Sequence, residues 1–138
     1  MASRDIYHDT VKTALVKDGW TITHDPFPLR YGPRRLYADL GAEKLFAVEK
    51  ASRKIVVEVK SFTSPSEVED LQEACGSYGM YRNILAETHP EWELYLAIPQ
   101  DAYRGIFSEP LGRLMVVKEQ VRLIVFDQIQ EVIVQWIP

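Results

Sequence analysis

Thiols are almost missing from this chain of 138 residues. It carries one cysteine, Cys75, so neither an internal disulfide nor a thiolate metal cluster can form. Histidine is scarce too. His8, His24 and His89 are far apart and lack an i, i+4 partner, which argues against a zinc site built from convergent ligands. The apolar runs are short and broken by charge, so no segment reads as a membrane span. The opening residues, Met1-Ala2-Ser3-Arg4-Asp5, lack a signal-peptide core, and the expected setting is the cytoplasm. There is no phosphate-binding glycine loop and no Gly-x-Ser-x-Gly, so nucleotide hydrolysis and serine-hydrolase chemistry fit poorly. Repeats, linkers and low-complexity segments are missing as well, which leaves one expected domain over residues 1–138. Nor is there a surplus of positive charge. The net charge of −4 argues against a general nucleic-acid coat protein.

What is present suits a folded domain. Hydrophobic residues make up 46% and charged residues 26%, the usage of a chain that buries a real core. The charge is unevenly spread. Residues 1–62 carry 11 Lys/Arg against 8 Asp/Glu, and residues 63–138 carry 5 against 12. A locally basic surface can bind phosphates whatever the total charge.

In chain order, residues 4–18 read as a helix, with Tyr7, Val11, Ala14 and Leu15 at helical spacing, Ser3 as cap and Gly19 as stop. Residues 20–24 alternate as a strand. Residues 25–28, with Pro26 and Pro28, read as a loop. A basic loop follows in which Arg30, Arg34 and Arg35 flank Tyr31. It is a candidate DNA-backbone contact or an ordinary surface loop. Residues 36–40 and 44–50 read as strands separated by Gly41-Ala42-Glu43, residues 51–53 as a hairpin turn, and residues 54–62 as a β-branched central strand. Ser64, Pro65 and Glu67 predict a capped helix start, the helix running to about Leu85. Cys75 lies on its apolar side, as a small hydrophobe. Strand 93–98, helices 100–107 and 109–119, strand 122–126, a turn at 127–130 and an edge strand 132–137 complete the reading.

The chemistry concentrates between Asp39 and Lys60. Alternate strand residues share a face, so Glu58 and Lys60 lie side by side while Val57 and Val59 point the other way. Charges in a buried element cost free energy unless paired or bound to metal. Asp39 and Glu58 from adjacent strands can hold a hard cation such as Mg²⁺. Lys60 can then orient or deprotonate a bound water, or neutralise charge developing on a phosphate. Glu-x-Lys is also an ordinary exposed strand pair. Glu49 is a further ligand candidate near a turn, and Tyr78 and Tyr81 read as core-packing residues.

Helix, Asp39 on a strand, Glu58-Val59-Lys60 on the next, then a capped helix: this order resembles the PD-(D/E)xK nuclease superfamily. The resemblance implies an α/β, restriction-endonuclease-like fold, with a central mixed β-sheet flanked by helices (an αβββαβ core). It implies Mg²⁺, or Mn²⁺ as substitute, on Asp39 and Glu58, with Asp39, Glu58, Lys60 and His8 catalytic. The polar first-helix residue of many members falls near His8, with Asp5 and Asp9 close by. Histidine there departs from the usual glutamate, and Ala38 stands where the family name has proline. The Gln-x-x-x-Tyr motif of some members aligns with Ser77 to Tyr81, serine replacing glutamine, and Gln72 is an alternative polar residue.

A longer resemblance runs through Arg4-Asp5-Ile6-Tyr7-His8-Asp9, residues 17–26, Ala38-Asp39-Leu40-Gly41-Ala42-Glu43, residues 57–62 and the ending from Leu123 to Pro138. It is similar to the XisH family, the fdxN element excision controlling factors of cyanobacteria. That implies a part in site-specific DNA excision during heterocyst differentiation, beside a recombinase and a companion factor, XisI. Two functions follow from it. One is a Mg²⁺-dependent, endonuclease-like DNA-processing protein. The other is a catalytically inactive nuclease-fold adaptor that regulates the recombinase through protein binding. Either is compatible with a homo-oligomer.

Overall fold

The computed structural model describes residues 4–46 and 51–138. The elements run α1 (His8–Lys17), β1 (Thr21–His24), β2 (Phe27–Tyr31), β3 (Arg34–Ala38), β4 (Leu40–Phe46), β5 (Ala51–Val59), α2 (Glu67–Thr88), β6 (Trp92–Pro99), α3 (Gln100–Arg104), a 3-10 turn (Ile106–Ser108), α4 (Pro110–Lys118), β7 (Leu123–Asp127) and β8 (Val132–Ile137). Six strands form one sheet in the order β1-β4-β5-β6-β7-β8. β5, β6 and β7 are parallel, and the remaining pairs are antiparallel. The result is a mixed α/β sheet flanked by helices, consistent with a nuclease-like fold, with β1 and β8 at its edges, the latter as expected for strand 132–137. Among the described residues no helix is long and apolar enough to cross a membrane.

Alternation along the central strands builds two cores. Val56, Leu94, Leu96, Ile98, Leu123 and Val125 face α2, α3 and α4. Ile55, Val57, Val59, Tyr95, Ala97, Ile124 and Phe126 face α1 through Val11 and Leu15. Because both faces of β5 are covered, its sequence is a nearly unbroken β-branched run. Tyr78 ties the helical layer to the sheet. Its phenol lies within hydrogen-bond reach of the Leu94 and Gln120 carbonyls and accepts the Arg122 N–H at 3.0 Å. Tyr78→Phe leaves these buried backbone groups short of a partner. Urea unfolding is expected to show a loss of about 1–3 kcal/mol, and an unchanged midpoint would contradict this role.

Several local expectations need correction. Residues 27–31 and 34–35 are strand rather than loop: β2 and β3 form their own antiparallel hairpin, with Arg30 opposite Arg35 and Tyr31 opposite Arg34, and the strand expected from residue 36 is the second half of β3. Pro28 is tolerated because a two-stranded ribbon has free edges, and Phe27 and Leu29 alternate inward with Pro28 and Arg30 outward. Gly41 does not break a strand. A Cβ there would come within 2.7 Å of the Phe27 ring, so glycine lets the hairpin lie against β4. Residues 51–53 are strand rather than turn. Helix α2 is capped by Ser66, whose side chain accepts the Glu69 N–H, an N-cap two residues later than the Ser64 frame. Helix α1 starts at His8 because Asp5 folds back first, its side chain accepting the Tyr7 N–H and its carbonyl the His8 N–H. Ser3 and residues 47–50, Glu49 among them, lie outside the described residues.

Candidate functional site

Asp39 sits at the bend where the chain leaves β3 and enters β4. Leu40 pairs with Val57, so the antiparallel register sets Asp39 beside Glu58. The two residues clamp each other. Asp39 Oδ2 accepts the Val59 N–H at 2.7 Å, and Glu58 Oε1 accepts the Asp39 N–H at 3.2 Å. Each carboxylate thus spends one oxygen on the backbone and keeps the other. They border a cavity of about 310 Å³ whose walls are Asp5, Tyr37, Asp39, Glu58, Val59, Lys60, Glu73, Ala74, Ser77 and Tyr81. Burial first, and then the Asp39 carboxylate beside it, pushes Glu58 from 4.5 up to about 10. Without a cation between them, the pair holds a proton at neutral pH.

Lys60 shares the Glu58 face, as the alternation predicts. Its ammonium does not reach the carboxylate pair. It donates to Glu73 Oε2 at 2.6 Å and lies 3.8 Å from Asp70 Oδ1. Burial lowers its affinity for the proton, and the Glu73 hydrogen bond with the Glu73, Asp70 and Asp5 charges more than offsets this, so it titrates above its ordinary value. It is a fixed positive charge rather than a base.

His8 is buried to 3% exposure and stands behind Asp39, outside the cavity wall. Its Nε2 lies 2.7 Å from Asp25 Oδ1, and its Nδ1 lies 3.8 Å from Asp39 Oδ1. For Asp25, burial would raise the carboxyl, yet hydrogen bonds from Lys12 and His8 and their charges outweigh it and hold it below the usual range. An ionised carboxylate only accepts, so Nε2 carries the proton. His8 Nδ1 is then a buried polar atom with no hydrogen-bond partner among the described residues. The acidic side chain that the first-helix region brings to the cavity is Asp5, whose Oδ2 accepts the Ser61 N–H at 2.9 Å. Asp9 is exposed and pairs with Arg4 at 3.7 Å.

Helix α2 presents Glu73, Ser77 and Tyr81 to the cavity. These residues are four apart, so they stack on one helix face, and that spacing was a signal in the sequence. The Ser77–Tyr81 frame therefore reaches the site, whereas Gln72 is exposed. The Tyr81 hydroxyl donates to the Tyr37 carbonyl at 3.2 Å. Burial, then the Glu58 and Asp39 charges, pushes its phenol up to about 12, so Tyr81 is a wall of the site as well as a packing residue. Arg30, Arg34 and Arg35 are exposed on the hairpin and lie outside the cavity wall. Tyr37, two residues beyond Arg35, belongs to it. Cys75 is half-buried, and its thiol is raised first by burial and then by the Glu119 charge, which keeps it unreactive.

Among the described residues no three His, Cys, Asp or Glu side chains converge as a metal cage. Two carboxylate oxygens with waters and substrate phosphate suit Mg²⁺, which keeps much of its hydration and rarely takes an all-protein cage. The elevated Glu58 is what a positive charge between the two carboxylates would relieve. Asp39 and Glu58 fit that ion.

No curated protein matches the chain significantly. Two crystal structures do. An XisH family protein from Nostoc punctiforme is 39% identical over 97% of this chain and 100% of its own, with a TM-score of 0.87. An fdxN element excision controlling factor protein from Anabaena variabilis is 39% identical over 98% of this chain and 100% of its own, with a TM-score of 0.88. The family model described as XisH protein matches residues 1–134. The chain belongs to the XisH family.

Proposed function

We propose that this protein acts in controlling the excision of a DNA element, and that it does so by divalent-cation-dependent phosphodiester chemistry at Asp39 and Glu58. The name of the Anabaena variabilis neighbour supports the first part. The observation that supports the second is the carboxylate pair itself, clamped through its own backbone, with Glu58 pushed up by Asp39. Each carboxylate needs only one oxygen for the backbone it accepts, and two adjacent carboxylates otherwise oppose folding, so the pair's remaining oxygens have a clear purpose as a seat for Mg²⁺ or Mn²⁺. When bound, the cation polarises a phosphoryl oxygen and lowers the pKa of a bound water. Lys60, held charged, neutralises the phosphorane as negative charge builds. The setting implied by the family is the cytoplasm of a differentiating heterocyst, with a recombinase and XisI as partners.

Plasmid and branched DNA incubated with Mg²⁺ or Mn²⁺ test this. Lys60→Ala is expected to slow cleavage about 100-fold, the loss of one electrostatic stabiliser, with cation affinity little changed. Metal-independent cleavage, or equal rates for the two proteins, would sink the proposed chemistry. A second reading, a non-cutting adaptor on the same fold, draws on the position of Lys60, whose ammonium rests on Glu73 and Asp70 rather than against the carboxylate pair. It predicts no cleavage with any cation and a stable co-purifying complex with XisI or the recombinase.

A further inference from the structure

Two side chains, Arg35 and Tyr37, step along the outer face of β3 toward the candidate site, and Asp39 follows at the bend. Strand alternation turns Leu36 and Ala38 into the core and leaves Arg35 and Tyr37 outward, with Tyr37 44% exposed. Tyr37 and Asp39 both border the cavity. Residues two apart on a strand are separated by about 6.8 Å, close to the step between neighbouring nucleotides of an extended strand. Across the hairpin, Arg30 stands opposite Arg35 and adds a second cation on the same face. The sequence of groups is therefore cation pair, aromatic ring, carboxylate pair, with a nucleotide-like interval between the cations and the ring.

On the α2 side of the cavity carboxylates outnumber the one cation, Lys60, which Glu73 and Asp70 hold. Tyr81 touches Tyr37 through its hydroxyl, and Glu73 lies eight residues back along α2, about 12 Å away by helix rise. Beyond Glu73 the first turn of α2 adds Glu67, Glu69 and Asp70. Phosphates of one strand find cations at Arg30 and Arg35. Phosphates of a second strand carried toward the start of α2 meet carboxylates.

We propose that the substrate segment this site takes is single-stranded DNA, with one base stacked on Tyr37 and the neighbouring phosphate between Arg30 and Arg35. A paired base buries both faces in the helix stack and offers none to a tyrosine, whereas an unpaired base stacks readily on an exposed aromatic ring. This rests on the phosphodiester reading of the carboxylate pair, and it concerns strand preference rather than catalysis.

Fluorescence anisotropy in EDTA tests it apart from the cation. The probes are a labelled 12-nucleotide single strand and the corresponding duplex. Wild type is expected to bind the single strand at least tenfold more tightly. Tyr37→Ala is expected to weaken that binding about tenfold, while Tyr37→Phe retains it. The alanine variant keeps the backbone carbonyl that Tyr81 uses, so the cavity wall persists. Arg30→Ala and Arg35→Ala should each reduce the slope of log affinity against log salt by about 0.7. Equal or tighter binding of the duplex, or a Tyr37→Ala variant that binds like wild type, overturns the proposal. Single-strand binding that responds to Tyr37 in a protein that never cleaves with Mg²⁺ or Mn²⁺ would leave this inference standing and remove the catalytic reading. Cleavage of duplex that ignores Tyr37 would do the reverse.

Discussion

Asp39→Asn is expected to lower cation-dependent cleavage about 1,000-fold while the protein stays folded. A cation acting as Lewis acid supplies several kcal/mol of transition-state stabilisation, and about 4 kcal/mol corresponds to that factor. Asparagine is the informative replacement because Asp39 has two jobs. One oxygen accepts the Val59 N–H at 2.7 Å, and the asparagine carbonyl can keep that bond. The other is a candidate cation ligand, and asparagine withdraws its charge. Alanine would remove both, leaving a backbone N–H at the end of β5 unpaired and mixing a folding defect into the rate. The checks are plasmid cleavage with Mg²⁺ and Mn²⁺, Mn²⁺ binding by calorimetry, and a thermal melt in EDTA. A variant that melts like wild type, binds Mn²⁺ weakly and has lost cleavage fits the assignment. Cleavage retained at the wild-type rate rejects Asp39 as a ligand.

Much of this site could be read from residue order because strand geometry fixes side-chain direction. Glu58 and Lys60 had to share a face, and the covered run Ile55-Val56-Val57 had to be central. What spacing along one segment cannot give is the partner across space. Lys60 and Glu73 are 13 residues apart, on different elements, and only the packing of α2 on the sheet sets their charges together. His8 shows the same limit. Its place in the chain puts it near the site, but the buried contact with Asp25, 17 residues away, turns its ring to stand behind Asp39 instead of into the cavity. The hairpin was hidden for another reason. Two prolines and a glycine looked like loop chemistry, and the competing signal, Phe27 and Leu29 alternating inward, spans too few residues to outweigh them. The helix cap slipped by two because Ser64 and Ser66 both offer an acceptor. Ser64 Oγ instead accepts the Ser66 N–H, which leaves Ser66 to close the helix.

Glu58 makes a second large effect, on the pH dependence of stability. Its carboxyl titrates near 4.5 when unfolded and about 10 in the cation-free fold, raised by burial and then by Asp39. Between these values the folded chain holds a proton that the unfolded chain has lost. Stability from this group is therefore fully present below the unfolded value and drains away as pH rises toward the folded one. Asp25 has the opposite sign. Its carboxyl is held low in the fold, so its contribution is present above the usual carboxylate range and lost as pH falls through it. The cation-free protein should thus be most stable at mildly acidic pH. From about pH 6 to about pH 9 it should lose on the order of 2 kcal/mol, below the limit of about 1.4 kcal/mol per pH unit for one proton because Glu58 is only partly buried. Glu58→Gln should flatten that slope and melt higher than wild type in EDTA at the alkaline end. Saturating Mg²⁺ should flatten it as well, but only in wild type, since the ion takes the proton's place between the carboxylates. Urea unfolding across this range, with EDTA and with Mg²⁺, separates the cases. A wild-type slope unaltered by Glu58→Gln would mean that another group carries the proton. A slope that Glu58→Gln removes but Mg²⁺ leaves untouched would mean that the pair is a buried acid without a cation to serve.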